Sequence, residues 1–231
     1  MSHRFYCPDL VESGSVSLKE TEAHHLVHVL RHAAGDLVEL FNGQGLVASC
    51  RISTVRKRDV ELEVLSASRD PLPTVSFTLA TAVPKGDRFE WLVEKATELG
   101  VSRLIPITTS RSVVDPRDSK LDKLRQAVVT ACKQSGRNHL MSIMPVMNWE
   151  DLIRTEIPQH RSLLAHPGGV PLSTLSLAQD RPILALVGPE GGFSDDEVAV
   201  ATASGSIAVQ MGKNILRIET AAIALAAKIL L

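Results

Sequence analysis

The sequence predicts an α/β protein of two modules, a small β-rich one followed by a larger domain built on a parallel sheet. Three observations carry that expectation. The prolines of Asp70-Pro71-Leu72-Pro73 resist continuation of a helix or a central strand, and they divide the chain into residues 1–71 and 72–231. Before them, short alternating runs are separated by turn residues. After them, apolar strand-like runs alternate with helical ones, the pattern of a parallel sheet covered on both faces.

In the first module a helix is predicted over residues 20–30. Asp36-Leu37-Val38-Glu39-Leu40-Phe41 alternates as a half-buried strand, Asn42-Gly43-Gln44-Gly45 turns, and residues 46–52 form the returning strand. Val60-Glu61-Leu62-Glu63-Val64-Leu65 alternates again. Short strands of this kind fit a small barrel.

In the second module, residues 75–83 are a buried strand. Phe89, Leu92, Val93, Ala96 and Leu99 recur at helical spacing over residues 86–99, and Gly100 supplies the stop. Residues 103–107 form the next strand. A helix over 119–134 has Ser119 as cap and Leu121, Leu124, Val128 and Ala131 on its apolar face. Residues 162–165 and 183–187 are short buried strands. Ser194 opens a helix, with Glu197 completing a capping box. Residues 206–210 are the last strand, and Thr220 is placed to cap a final helix reaching Leu231.

Composition narrows the function classes. The 231 residues are 44% hydrophobic, ample for a core, and 25 Lys and Arg stand against 26 Asp and Glu. That balance argues against a globally basic nucleic-acid binder and leaves room only for a local patch. The three cysteines, Cys7, Cys50 and Cys132, are far apart, which indicates neither a disulfide framework nor a structural zinc site. The N-terminus has no apolar core of a signal peptide, and the apolar last eleven residues, interrupted by Lys228, are too short for a membrane span. A soluble cytoplasmic protein that engages no membrane is expected. His24, His28 and His32 share helical spacing beside His25, but no Cys or carboxylate completes an obvious ligand set, so no metal is expected.

Two segments hold most of the chemistry: Gly188-Pro189-Glu190-Gly191-Gly192-Phe193-Ser194, and Met211-Gly212-Lys213-Asn214-Ile215-Leu216-Arg217-Ile218-Glu219-Thr220-Ala221. Each begins where an apolar strand ends and runs into a helix, at the edge of an open α/β sheet where ligands bind. Neither a GxxxxGK[ST] nor a GxGxxG pattern is present, which argues against a nucleoside triphosphate or a dinucleotide. The loops are either tight strand-to-helix turns or the walls of a pocket made from main chain. In the second case peptide groups suit the edge of an adenine ring, with Leu216 and Ile218 over its face.

These residues carry a resemblance. GPEGGFSDDE followed by MGKNILRIETAAIAL resembles the signature of the ribosomal RNA small-subunit uridine N3-methyltransferase family (RsmE-like), within the SPOUT superfamily. HHLVHVLRHAAGD, LFNGQG, KGDRFEWLVEKATELGV, QSGRN and AHPGG agree with it, so the similarity runs from about residue 4 to the C-terminus. The chain departs from the family at Met211, where Leu or Ile is usual. The resemblance implies an N-terminal PUA-like β-barrel, a C-terminal domain with a deep trefoil knot, a homodimer, and S-adenosylmethionine as cofactor. Its binding residues would be Ala165, His166 and Pro167, then Val187, Gly188, Gly191 and Gly192, then Met211, Gly212, Ile215, Leu216 and Arg217. The implied activity is methyl transfer to N3 of a uridine in 16S ribosomal RNA of the small subunit. A related knot enzyme acting on a ribose 2′-hydroxyl or on tRNA, and a noncatalytic rRNA-binding factor, are the alternatives.

Uridine N3 is a poor nucleophile until its proton leaves or is shared. Arg217 suits the uracil carbonyl oxygens or a phosphate, and Glu219 or Glu190 suits the proton. Arg217 and Glu219 equally suit a structural ion pair, and Glu190 a carboxylate placed near a helix N-terminus. For RNA contact the candidates are Arg4, Arg31, Lys85, Arg88 and Arg137, with the Arg56-Lys57-Arg58 run. Residues 111–139 add a local excess of four positives: seven (Arg111, Arg117, Lys120, Lys123, Arg125, Lys133, Arg137) against Asp115, Asp118 and Asp122. With 3% aromatic residues, backbone shape and one flipped nucleotide are expected to matter more than stacking.

Overall fold

The computed structural model describes residues 3–56, 59–114, 118–176 and 181–231, with backbone alone for 118–121. Lys57, Arg58, Asp115 and Arg117, and the side chains of Asp118, Ser119, Lys120 and Leu121, therefore lie outside the described residues. The chain forms two compact units. One is Met1–Leu72 with Cys132–Leu140, the other Pro73–Ala131 with Met141–Leu231.

The first unit holds strands β1 (Arg4–Tyr6) and β2 (Gly14–Lys19), and helix α1 (Glu20–His24), which continues as a π-helical turn, His25–Val29. Strands β3 (Leu37–Phe41), β4 (Leu46–Val55) and β5 (Asp59–Arg69) follow. They make one sheet in the order β1-β3-β4-β5-β2, with β1 parallel to β3 and the rest antiparallel. Register shifts at Ser49/Cys50 and Ile52/Thr54 of β4 bend the sheet, so the expected barrel is present as a curled half-barrel. Its concave face buries Phe5, Leu18, Leu26, Leu40, Cys50, Ile52 and Leu62. At the hairpin tip Asn42 Oδ1 accepts from the amides of Gln44 and Leu46 at 2.8 and 3.1 Å. The 132–140 segment docks there: Leu140 N donates to Gly43 O, and Gly45 N to Asn138 O, both at 2.9 Å. Gly45 (φ +93°) is needed twice over, because a Cβ would stand 2.8 Å from Asp70 O.

The second unit runs β6 (Phe77–Ala82), α2 (Arg88–Leu99), β7 (Arg103–Thr108), α3 (Asp118–Ser135, within which the two units divide) and the two-residue strands β8 (Ser142–Ile143) and β9 (Met147–Asn148). It continues through α4 (Trp149–Thr155), β10 (Arg161–Pro171), β11 (Ile183–Val187), α5 (Asp195–Ala203), β12 (Ile207–Gln210) and α6 (Ile218–Leu230). The sheet order is β12-β10-β11-β6-β7-β8, with β9 also on β7, and every pairing is parallel. All six residues of β6 and all five of β11 are buried, as expected of strands covered on both faces. One face packs Ala80, Ile105, Leu164, Leu184 and Leu186 against Trp149, Leu152, Phe193 and Ala201. α6 packs on β6 and β11 and beside α2.

Gly100 ends α2 in the left-handed conformation (φ +98°), and Ser194 and Glu197 form the expected capping box. The start of α6 corrects one expectation. Thr220 is not its cap: the helix begins at Ile218, and Arg217 is the capping residue, its carbonyl accepting from Ala221 N at 2.8 Å. Burial of Ile218 and Glu219 draws that turn into the helix, and no side-chain cap compensates.

Candidate functional site

Two loops at the C-terminal edge of the parallel sheet, leaving β11 at Val187 and β12 at Gln210, enclose a cavity of about 270 Å³ in the second unit together with the register-shifted stretch of β10 at Ala165, His166 and Pro167. The two glycine segments singled out from sequence are thus neighbours in space. Of the residues expected to hold a cofactor, Ala165, His166, Pro167, Val187, Gly188, Gly191, Gly192, Met211, Gly212, Ile215 and Leu216 line this cavity, and Arg217 does not.

Close backbone approach explains the glycines. At Gly169, β10 comes so near β12 that a Cβ would stand 2.4 Å from Val209 N, beside the register shift between Ala165 and Val170. At Gly188 a Cβ would meet the Phe193 ring at 3.0 Å. Gly192 has φ +69°, and Gly192 N donates to Pro189 O at 2.8 Å, closing a tight turn. Phe193 is buried and packs its ring on Trp149, centroids 4.9 Å apart, which gives the loop an apolar floor. In the last loop Gln210 Nε2 donates to Gly212 O at 2.9 Å. The walls are therefore peptide groups over apolar side chains (Val187, Phe193, Val209, Ile218, Ala221). Such a surface fits a flat heteroaromatic ring, recognised at its edge by main chain and at its faces by carbon.

Three supports were not evident from local sequence pattern. Arg111 Nη1 donates to Gly191 O at 2.9 Å and Phe193 O at 3.3 Å, so it clamps the glycine loop. Glu197, beyond the expected capping-box bond from Ser194 N at 2.8 Å, also accepts from Ser110 N at 2.8 Å, tying the same loop to the turn after β7. Arg88 Nε donates to Lys85 O at 3.1 Å, Nη2 donates to Glu190 Oε1 at 3.2 Å, and Nη1 stands 3.7 Å from Glu219 Oε1.

The charged residues fall into distinct places. Glu190 lines the cavity, whereas Glu219 does not. The Glu219 side chain is 10% exposed, and its ion-pair partner is Arg88 rather than Arg217. Arg217 is exposed, and its guanidinium has no hydrogen bond or ion pair among the described residues.

Of the RNA candidates, Lys85 and Arg31 are exposed, Arg31 with φ +58°. Arg4 is committed elsewhere. It pairs with Glu39 at 2.5 Å, donates to Cys132 O at 3.1 Å and to Asn138, and lies over the Phe41 ring, so it serves as a scaffold. Arg137 is half-buried, and desolvation holds its guanidinium below the ordinary arginine range. Of the excess of four positives expected over 111–139, two are answered by carboxylates from outside the segment, Lys123 by Glu90 and Lys133 by Glu22, while Arg125 pairs with Asp122 within it. Among the histidines, His32 contacts Asp36 at 2.9 Å and His3 at 2.7 Å. Among the described residues no group of three or more potential ligands is arranged for a metal, and no helix is long and apolar enough to cross a membrane.

Known proteins resemble this arrangement. Residues 70–230 match a model of the RNA methyltransferase domain, and residues 18–65 a model of the RNA methyltransferase PUA domain. The "Ribosomal RNA small subunit methyltransferase E" of Bacillus subtilis is 31% identical over 224 residues, covering 91% of this chain and 87% of its own. A crystal structure of the protein of that name from Neisseria gonorrhoeae, bound to S-adenosyl methionine, superposes with a TM-score of 0.91 at 30% identity, over 99% of this chain and 97% of the other. A putative methyltransferase from Legionella pneumophila, in complex with the same cofactor, gives 0.90 at 28% identity, over 99% and 96%. The chain belongs to the RNA methyltransferase family, with that family's catalytic and PUA domains both represented.

Proposed function

We propose that this protein transfers the methyl group of S-adenosylmethionine to N3 of a uridine in 16S ribosomal RNA of the small subunit. The observation that supports it most is the cavity shared by both glycine loops and residues 165–167 of β10. Its main-chain walls and apolar floor suit a nucleoside, and the two superposable structures named above hold this cofactor. We assign cofactor binding to Ala165, His166 and Pro167 of β10, to Val187, Gly188, Gly191 and Gly192, and to Met211, Gly212, Ile215 and Leu216; Arg217, which does not line the cavity, is left to the acceptor. S-adenosylmethionine supplies a methyl carbon made electrophilic by its sulfonium.

The chain's own residues then have three tasks. Glu190, at the cavity wall, accepts the N3 proton as the uracil becomes nucleophilic. Arg217, without a side-chain partner among the described residues at the head of α6, hydrogen-bonds a uracil carbonyl oxygen or a phosphate and stabilises the negative charge that develops there. Phe193 and Ile218, both buried, exclude water from the apolar part of the site. Lys85 and Arg31, both exposed, are assigned to the RNA backbone, with Arg137 beside them in that role.

A trefoil knot is supported by the strand order. After the edge strand β12, residues 211–216 line the same cavity as the ends of β10 and β11, and the chain returns as α6 on β6 and β11. A homodimer is supported by Ile215, 89% exposed in the last loop, and Leu231, 92% exposed. Action on ribosomal RNA implies a cytoplasmic location.

Nucleosides from the 16S rRNA of a strain lacking this protein, read by mass spectrometry, are expected to lack 3-methyluridine. Its persistence overturns the assignment. Arg217→Ala is expected to lower kcat by about a hundredfold or more while leaving the melting temperature unchanged, the loss expected for one charge-stabilising donor. Near-normal turnover removes Arg217 from the chemistry.

A further inference from the structure

We infer that Arg88 and Glu219 are positioning residues that act through Glu190, as a Glu219–Arg88–Glu190 relay beside the cavity. The inference rests on the methyl-transfer reading above and assigns Arg88 a task other than RNA contact.

The guanidinium of Arg88 is engaged on three sides. Nε is held by Lys85 O at 3.1 Å, Nη2 by Glu190 at 3.2 Å, and Nη1 faces Glu219 at 3.7 Å, an ion pair rather than a hydrogen bond. A rigid planar fork held on three sides fixes the direction of each partner, which a lysine ammonium does not do. The three contacts come from separate parts of the chain: the turn before α2, the glycine loop after β11, and the first turn of α6. Glu190 is the member that lines the cavity.

Glu219 is what makes the arrangement stiff. Its side chain is nine-tenths buried, and Oε2 is buried with no hydrogen-bond partner among the described residues. A carboxylate in that setting needs its cation, because burying it unpaired is costly. Among the described residues Arg88 is its only ion-pair partner. Glu219 therefore anchors Arg88 from the protein side, and Arg88 presents a fixed donor to Glu190, which is 40% exposed and whose carboxylate has no other hydrogen bond or ion pair among the described residues. In this order Glu219 touches neither substrate nor cofactor, consistent with its absence from the cavity wall.

The test is a double-mutant cycle on methyl transfer to 16S rRNA with Arg88→Ala, Glu219→Gln and the double variant, with Arg88→Lys as the conservative replacement. Each single change is expected to lower kcat by roughly tenfold, and the double variant to be no worse than the worse single one, as for residues acting as a unit. Arg88→Lys is expected to restore little. The loss is expected in kcat with KM nearly unchanged, a split that a merely structural pair does not give. Multiplicative losses, or a loss carried wholly in KM, overturn the relay. An inactive unaltered protein overturns the methyl-transfer reading, and the relay with it.

Discussion

The sharpest test of the cavity's construction is Gly169→Ala. A Cβ at this position would stand 2.4 Å from Val209 N, 2.5 Å from Ala208 C and 2.6 Å from Ala208 O. All three are backbone atoms of β12, so no side chain can swing away. Reaching the 3.4 Å of ordinary van der Waals contact takes about 1 Å of separation between β10 and β12. Forcing extra methylenes into a packed site costs about 1–3 kcal/mol. A main-chain wall puts this case near the top, at ~3 kcal/mol, or roughly 6–12 °C in melting temperature for a chain of this size. The pairs beyond the register shift, Val170 with Val209 and Pro171 with Gln210, are the ones that part. Because Val209, Gln210 and Met211 line the cavity, affinity for S-adenosylmethionine is expected to fall by at least roughly tenfold. Scanning calorimetry reads the first effect and titration calorimetry the second. Gly168→Ala is the control: its Cβ meets only the His166 ring, at 3.3 Å, which can rotate. A Gly169→Ala protein melting within about 2 °C of the unaltered one, on that same scale, refutes the reasoning.

Other expectations follow from the same geometry. Arg111→Ala removes the donors to Gly191 O and Phe193 O, and for partly exposed charged donors the loss is about 1 kcal/mol, read as roughly fivefold weaker cofactor binding; unchanged affinity shows that the loop holds its shape unaided. Ser194→Ala breaks the capping box of α5, worth about 1 kcal/mol, so the melting temperature drops by roughly 2–4 °C. His25 titrates below the ordinary histidine value because burial, and then the Lys133 ammonium, disfavours its charged form. As pH falls below about 6.5 the unfolded chain takes up this proton first, so stability present above that pH is lost toward the lower folded value. Urea midpoints at pH 7.5 and 5.5 should therefore differ less in His25→Gln than in the unaltered protein, and equal differences count against the shift.

Much of the site was legible because its signals are local. The glycine loops, the Ser194 capping box and the Gly100 stop each lie within a few residues and carry their own chemistry. The sheet elements follow from alternation or apolar runs, apart from the shortest ones. Strand β1 has three residues, β8 and β9 two each, too few for a period to emerge. Strand β2, Gly14–Lys19, does alternate, burying Val16 and Leu18, and was readable in principle. So was α4, whose Asn148 cap accepts from Asp151 N at 2.8 Å. What sequence could not display is partnership at long range. Arg88 reads as a phosphate contact until Glu190, 102 positions away, is found at its tip. Arg4 reads as surface charge until Asn138, 134 positions away, is found beside it. Thr220 misled because a hydroxyl is a good cap wherever a helix begins, and burial of Ile218 and Glu219 moved the beginning.

A pocket walled by peptide groups has a consequence for inhibition. A compound that competes there by pairing with amides and carbonyls reads atoms that every substitution short of proline leaves in place. The glycines that expose those atoms resist replacement, since at Gly169 and Gly188 an added carbon collides with what stands opposite. Escape from such a compound is left to the rim, where Ile215 and Leu216 stand open to solvent, so drug design is best served by ligands that stay inside it.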